Sequence, residues 1–207
     1  MRRQNLESSL VAIAVIAVAN FVAFIIAAIS AGSLANTGSS FEIRDGGLFG
    51  PAVEDQGEWW RVVTSGFLHI SWEHFLSNML ALLLLGVLLG NALGAARFVV
   101  TYLGSLVIGS LFVLLFSPDS LTVGASGAIF GLAGAGVVVA WRQRRWLFLL
   151  LVVAWAVTNL LFTLSTPGIS VAGHFGGLLG GALLGFLFSG RSGDRDRSAQ
   201  VIGPVGN

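Results

Sequence analysis

TVGASGAIFGLAGAG, residues 122–136, sets one hydroxyl, Ser126, among glycines and alanines where an apolar run begins. A serine there can bond back to the carbonyls of its own helix, or it can be a nucleophile held in a packed interface. The spacing of the small residues bears on the choice. Gly127, Gly131 and Ala135 recur every fourth residue, and so do Gly173, Gly177, Gly181 and Gly185 further along the chain. Stripes of this kind let two membrane helices bring their backbones close together. Ser126 immediately precedes the first stripe, and His174 follows the first glycine of the second. If the stripes face each other, serine and histidine come within reach.

The surrounding composition is that of a membrane protein. The 207 residues are 55% hydrophobic and only 10% charged, whereas a soluble domain carries about 25% charge to cover its surface. A net charge of +1 implies no nucleic-acid partner. Cysteine is absent, which excludes disulfides, thiol nucleophiles and thiolate metal sites.

About 20 apolar residues cross the hydrocarbon core, and six stretches qualify: residues 10–31, 74–94, 98–116, 124–141, 146–164 and 169–189. The reading is an all-α membrane protein, a six-transmembrane-helix bundle spanning 10–189. Residues 1–9 and 190–207 are expected to be cytoplasmic tails, the second disordered. The first run, 22 residues long, exceeds the apolar core of a signal peptide, about 7–15 residues. All eleven basic residues are arginines. With connections numbered alternately, Arg2, Arg3, Arg97, Arg142, Arg144, Arg145, Arg191, Arg195 and Arg197 fall on one side. Only Arg44 and Arg61 fall on the other. The positive-inside rule then puts both termini in the cytoplasm. The long connection after the first span holds Trp59, Trp60 and several acids. It is expected to be structured, lying in the outer leaflet or folded over the helix ends.

Polar groups inside the membrane are costly and mark function by default. His74 and Asn78 open the second span at i, i+4 spacing, which sets both on one helix face. Ser126 opens the fourth span and His174 the sixth. The topology therefore sets all four at similar depth, near the outer ends of the even-numbered spans. Each has a plainer reading: a back-bonded serine, an interfacial histidine, an interhelical hydrogen-bonding pair. His69 reads as a structural partner in the outer connection. Metal binding is disfavoured, because His69 and His74, five apart, sit on different faces of a helix. No Asp or Glu lies inside a predicted span, which weighs against a transporter or channel.

Taken together these motifs resemble the rhomboid intramembrane serine proteases. Gly124-Ala125-Ser126-Gly127 is similar to that family's GxSG, His74 with Asn78 to its HxxxN, and Gly173-His174 followed by Gly177 and Gly181 to its HxxGxxxG. Trp60-Arg61 resembles its WR pair, and His69 falls at its usual histidine before HxxxN. The likeness runs from about residue 58 to 186. It implies a Ser126–His174 dyad, with the oxyanion held by the Ser126 backbone N–H and the His74 and Asn78 side chains. Gly124, Gly127, Phe130, Gly177, Gly181, Trp60 and Arg61 would support the site, with neither cofactor nor metal. Phe130 stands where some members have tyrosine, and Gly90 where many have glutamate. No acid is placed to orient His174, so packing against Phe130 and the glycine interface must do so. The resemblance implies transmembrane protein substrates, entering between spans two and five and cut near their outer ends, in a prokaryotic cell membrane. A rhomboid-like protein that binds membrane helices without cutting them is the alternative within the same fold.

Overall fold

The structure, a computed structural model, describes residues 2–189; the C-terminal tail expected at 190–207 lies outside them. A long first helix, α1 (Arg2–Ala31), is followed by three short ones: α2 (Phe41–Gly46), α3 (Gly50–Glu54) and α4 (Arg61–Thr64). A 3-10 turn at Ser65–Phe67 leads on to α5 (Trp72–Leu93), α6 (Ala95–Phe116), α7 (Ser126–Arg142), α8 (Trp146–Ser165) and α9 (Val171–Ser189). Five helices are long and apolar enough to cross a membrane: α1 from Leu6, α5, α6, α8 and α9. The chain is an integral membrane protein by that measure.

α7 differs from the even set of spans expected from sequence. Its 17 residues extend about 26 Å at 1.5 Å per residue, short of the roughly 30 Å hydrocarbon core. It is also the central helix, touching α5, α6, α8 and α9. Its buried residues run without a break from Ala128 to Gly136 and resume at Val139 and Ala140. A helix enclosed on every side needs small side chains wherever a neighbour crosses closely, hence its glycines and alanines.

The two glycine stripes do face each other. A Cβ on Gly177 would stand 2.8 Å from the Gly127 carbonyl carbon, and one on Gly185 would stand 2.7 Å from Ala135 Cα. A Cβ on Gly181 would be 2.5 Å from Gly131 Cα. Real Cβ atoms do not come so near, so α9 admits only glycine at these three positions. α9 has a second glycine face that the fourfold spacing does not reveal. Gly176 and Gly180 lie against Phe112 and Ile108 of α6, where a Cβ would meet them at 2.5 Å and 2.8 Å. α9 is thus wedged between α6 and α7.

α1 begins at Arg2 rather than at residue 10, because no glycine or proline interrupts residues 2–9. Ser9 lies buried against α5 and donates to the Gly90 carbonyl at 2.9 Å. A Cβ on Gly90 would stand 2.8 Å from Ser9 Cβ, so a glutamate has no room there. The missing glutamate is replaced by a helix-to-helix contact. α8 is held least: it buries only Phe148, Val152, Ala156 and Thr163, while Leu147, Leu150, Leu161 and Phe162 are exposed as a lipid-facing surface would be.

The connection between α1 and α5 packs over the helix ends. Arg61, 5% exposed, is its centre. Its guanidinium donates to Glu58 at 2.6 Å and to the Arg44 and Gly47 carbonyls at 2.9 Å and 2.7 Å. Further bonds tie the connection to the rest, among them Gly50 N to Pro118 O at 2.8 Å. Leu48 and Thr122 exchange two backbone bonds of 2.9 Å, Gly124 N donates to Ser65 O at 2.9 Å, and Ser110 Oγ of α6 donates to Val62 O at 2.9 Å. Trp59 and Trp60 stay exposed.

Candidate active site

Ser126 is the first residue of α7 and is not buried deeply. Its position follows from the backbone before it. Gly124 has φ +127°, which disfavours any side chain, and a Cβ there would also stand 2.8 Å from His74 Cε1 and Nε2. The glycine is required twice over, by conformation and by the imidazole beside it. The same virtual Cβ lies 3.7 Å from Ser126 Oγ, so His74 and Ser126 flank one small space. The first N–H groups of α7 face outward from the helix end without intrahelical partners.

On α9, the Cβ-free face at Gly173 and Gly177 brings His174 against α7. His174 Nε2 is 2.7 Å from Ser126 Oγ. Its ring stacks on Phe130, with centroids 4.3 Å apart and planes at 17°. Trp155 of α8 also touches Phe130, with ring centroids 5.4 Å apart. His174 Nδ1 meets the Thr163 hydroxyl at 2.8 Å.

His74 occupies the first turn of α5, where its N–H is capped by Ser71 Oγ at 3.3 Å. One turn on, Asn78 Nδ2 donates to the His74 carbonyl at 3.0 Å. An amide nitrogen carries two hydrogens, so one is left over from this bond. His69 stands edge-on to His74 at 5.1 Å and to Phe75 at 5.5 Å, and its carbonyl accepts from Thr37 Oγ1 at 2.5 Å. Burial, and then His74 nearby, hold His69 down at about 3. It is a neutral packing group at neutral pH. Among the described residues no group of three or more His, Asp or Glu side chains converges on a metal ion.

A cavity of about 30 Å³ adjoins Ser126 and His174, lined by Ser65, Ser110, Thr122 and Ser170 together with Leu48, Leu106 and Val113. That is the volume of one or two water molecules.

Residues 56–191 match the rhomboid domain. The chain belongs to the rhomboid family. It is 38% identical to the rhomboid protease GluP of Bacillus subtilis over 154 residues, which is 71% of this chain and 30% of GluP. A second Bacillus subtilis relative, YdcA, is 38% identical over 138 residues, 63% of this chain and 68% of YdcA. RHOMBOID-like protein 7 of Arabidopsis thaliana is 36% identical over 132 residues, 62% of this chain and 42% of that one. The chain therefore spans less than a third of GluP.

Against the rhomboid pattern, Ser126, His174, His74, Asn78, Gly124, Gly127 and Phe130 gather at one end of the bundle. Trp60 and Arg61 stand apart, in the connection that braces the chain before Ser126. Thr163 was not foreseen. A threonine in a membrane helix ordinarily bonds back one turn, and Thr163 does so to Asn159 O at 2.8 Å. Nothing in its spacing distinguishes it; only the docking of α8 on α9 puts it beside His174.

Proposed function

We propose that this rhomboid is an intramembrane serine endopeptidase in which Ser126 is the nucleophile and His174 the base. The observation that carries the reading is the 2.7 Å contact of Ser126 Oγ with His174 Nε2, within the range for a nucleophile and its base. As Ser126 Oγ bonds to the scissile carbonyl carbon, its proton passes to Nε2. The imidazolium then gives that proton to the leaving amine. Water, deprotonated in turn by His174, cleaves the acyl-enzyme, and the adjoining cavity offers a place from which it can arrive.

The tetrahedral oxyanion needs donors already aimed at it. The Ser126 backbone N–H at the α7 terminus and the His74 ring, which flanks Gly124 beside Ser126, suit that role, and the second Asn78 amide hydrogen, one turn along α5 from His74, would be the third donor. Substrates would be transmembrane segments of other proteins. The shortness of α7, 17 residues, against a core of about 30 Å supports a site set in from the membrane surface and a cut near a segment's outer end. The arginine asymmetry, nine against two, puts the site on the outer side and both termini inside. The test is co-expression with a tagged single-span reporter, wild type beside Ser126→Ala. Cleavage by wild type alone is the expected result. Equal cleavage by both, or by neither, would overturn the reading.

A further inference from the structure

We propose that Thr163 is a positioning residue that fixes the tautomer of His174. The argument is a count of hydrogens. The Thr163 hydroxyl has one proton and lies 2.8 Å from Asn159 O, an atom that can only accept. The proton therefore goes to Asn159. Toward His174 Nδ1, at 2.8 Å, Thr163 Oγ1 presents a lone pair, so Nδ1 must carry hydrogen. A neutral imidazole has one N–H. Nε2 is then bare, and Ser126 Oγ, 2.7 Å away, must be the donor. The chain runs in one direction: Ser126 O–H to Nε2, Nδ1–H to Thr163 Oγ1, Thr163 O–H to the Asn159 carbonyl. Its polarity is set by a backbone oxygen, which cannot reverse it.

The opposite tautomer would put hydrogen on Nε2, pointing at the serine oxygen, and could accept no proton from it. Phe130 holds the plane of the ring, but a stacking contact does not distinguish one nitrogen from the other. Thr163 supplies that distinction. It is 3% exposed and shares the single buried stripe of α8 with Phe148, Val152 and Ala156, so it is a hydroxyl where the pattern otherwise places hydrocarbon. In the reaction no proton reaches Thr163. When His174 takes the serine proton on Nε2, Nδ1–H stays bonded to Thr163 Oγ1, which keeps the imidazolium oriented toward the leaving group. A neutral hydroxyl supports that cation less than a carboxylate, whose replacement by an amide in a serine-protease triad costs about 10⁴ in turnover. The loss expected here is about 10- to 100-fold, the scale of one buried hydrogen bond left unmade.

The proposal rests on the proteolytic reading for its kinetic part and stands without it for its spectroscopic part. Thr163→Val keeps the shape and removes the hydroxyl; Thr163→Ser keeps the hydroxyl. In the purified 207-residue chain, Val should lower kcat on the reporter about 10- to 100-fold with KM changed less than about twofold. Ser should stay within a few-fold of wild type, with both variants melting near it. Ring-¹⁵N spectra at neutral pH, with His174 assigned through His174→Gln, should show the Nδ1–H tautomer in wild type and Thr163→Ser, and its loss in Thr163→Val. A wild-type His174 protonated on Nε2 would overturn the proposal, as would a Val variant with wild-type kcat and tautomer, or a Ser variant as impaired as Val. If Val does not fold, the wild-type and Ser spectra decide. If wild type cuts nothing, the proteolytic reading fails and the spectra still decide Thr163.

Discussion

Gly177 of α9 lies against Gly127 of α7 so closely that a Cβ on Gly177 would stand 2.8 Å from the Gly127 carbonyl carbon and nearer still to its oxygen. The obstacle is backbone, which cannot rotate aside. Gly177→Val must therefore push α9 from α7, and with it His174 from Ser126. Overpacking costs typically about 1–3 kcal/mol, and about 1 Å between reacting groups costs about 10²-fold in rate. The variant is expected to melt earlier and lose most reporter cleavage, while Leu147→Ala, on the exposed face of α8, does neither. Wild-type melting and cleavage by Gly177→Val would refute the close crossing.

Ser126→Ala and His174→Ala should each abolish cleavage and leave the protein folded in the membrane. Nucleophile and base act as one unit, so the double variant should be little worse than either single one. Single-turnover rates on purified protein check this. Fully multiplicative losses would show two independent roles.

Arg61 is a buried cation whose charge is met by Glu58 at 2.6 Å. Leaving one partner of such a pair unmatched costs about 3–5 kcal/mol. Glu58→Ala is expected to destabilise by that order. Cleavage should fall as well, because the braced segment holds Gly124 through Ser65. Arg61→Lys should fail to rescue, since an ammonium cannot span both carbonyls and the carboxylate together. Thermal melts and cleavage assays of the two variants decide; a Lys variant matching wild type would count against the clamp.

His69 is held at about 3 in the folded chain, against about 6.5 when unfolded. Below 6.5 the unfolded chain binds a proton that the folded one refuses, so stability is full above that pH. It declines as pH falls from 6.5 toward 3, by at most about 1.4 kcal/mol per unit. His74 is the titratable group facing it. Melting of His69→Phe should depend less steeply on pH between 7 and 4 than that of wild type. Parallel slopes would show that His69 is not the group refusing the proton.

The chain has no cysteine, so single cysteines report topology. Ser71→Cys and Asp119→Cys should react with an impermeant thiol reagent added outside intact cells, and Gln143→Cys should not. Labelling of position 143 from outside would reverse the orientation.

Much of this was legible in one dimension because a bilayer makes the sequence pattern stringent. Polar groups are rare in apolar runs, so Ser126, His74, Asn78 and His174 stood out by type, and the glycines by their fourfold spacing. The helix limits of α5, α6, α8 and α9 were read to within a few residues, since hydrophobic length fixes them. What the tertiary structure decided concerns neighbours from distant parts of the chain. It gave the second glycine face of α9 against α6, the fit of Gly90 on Ser9 and the Arg61 clamp on two carbonyls. It also gave the Thr163 contact to His174. A backbone carbonyl has no letter in a sequence, and a threonine's spare lone pair carries no periodicity. Such contacts exist only once helices have docked, and docking is set by side-chain shape in three dimensions.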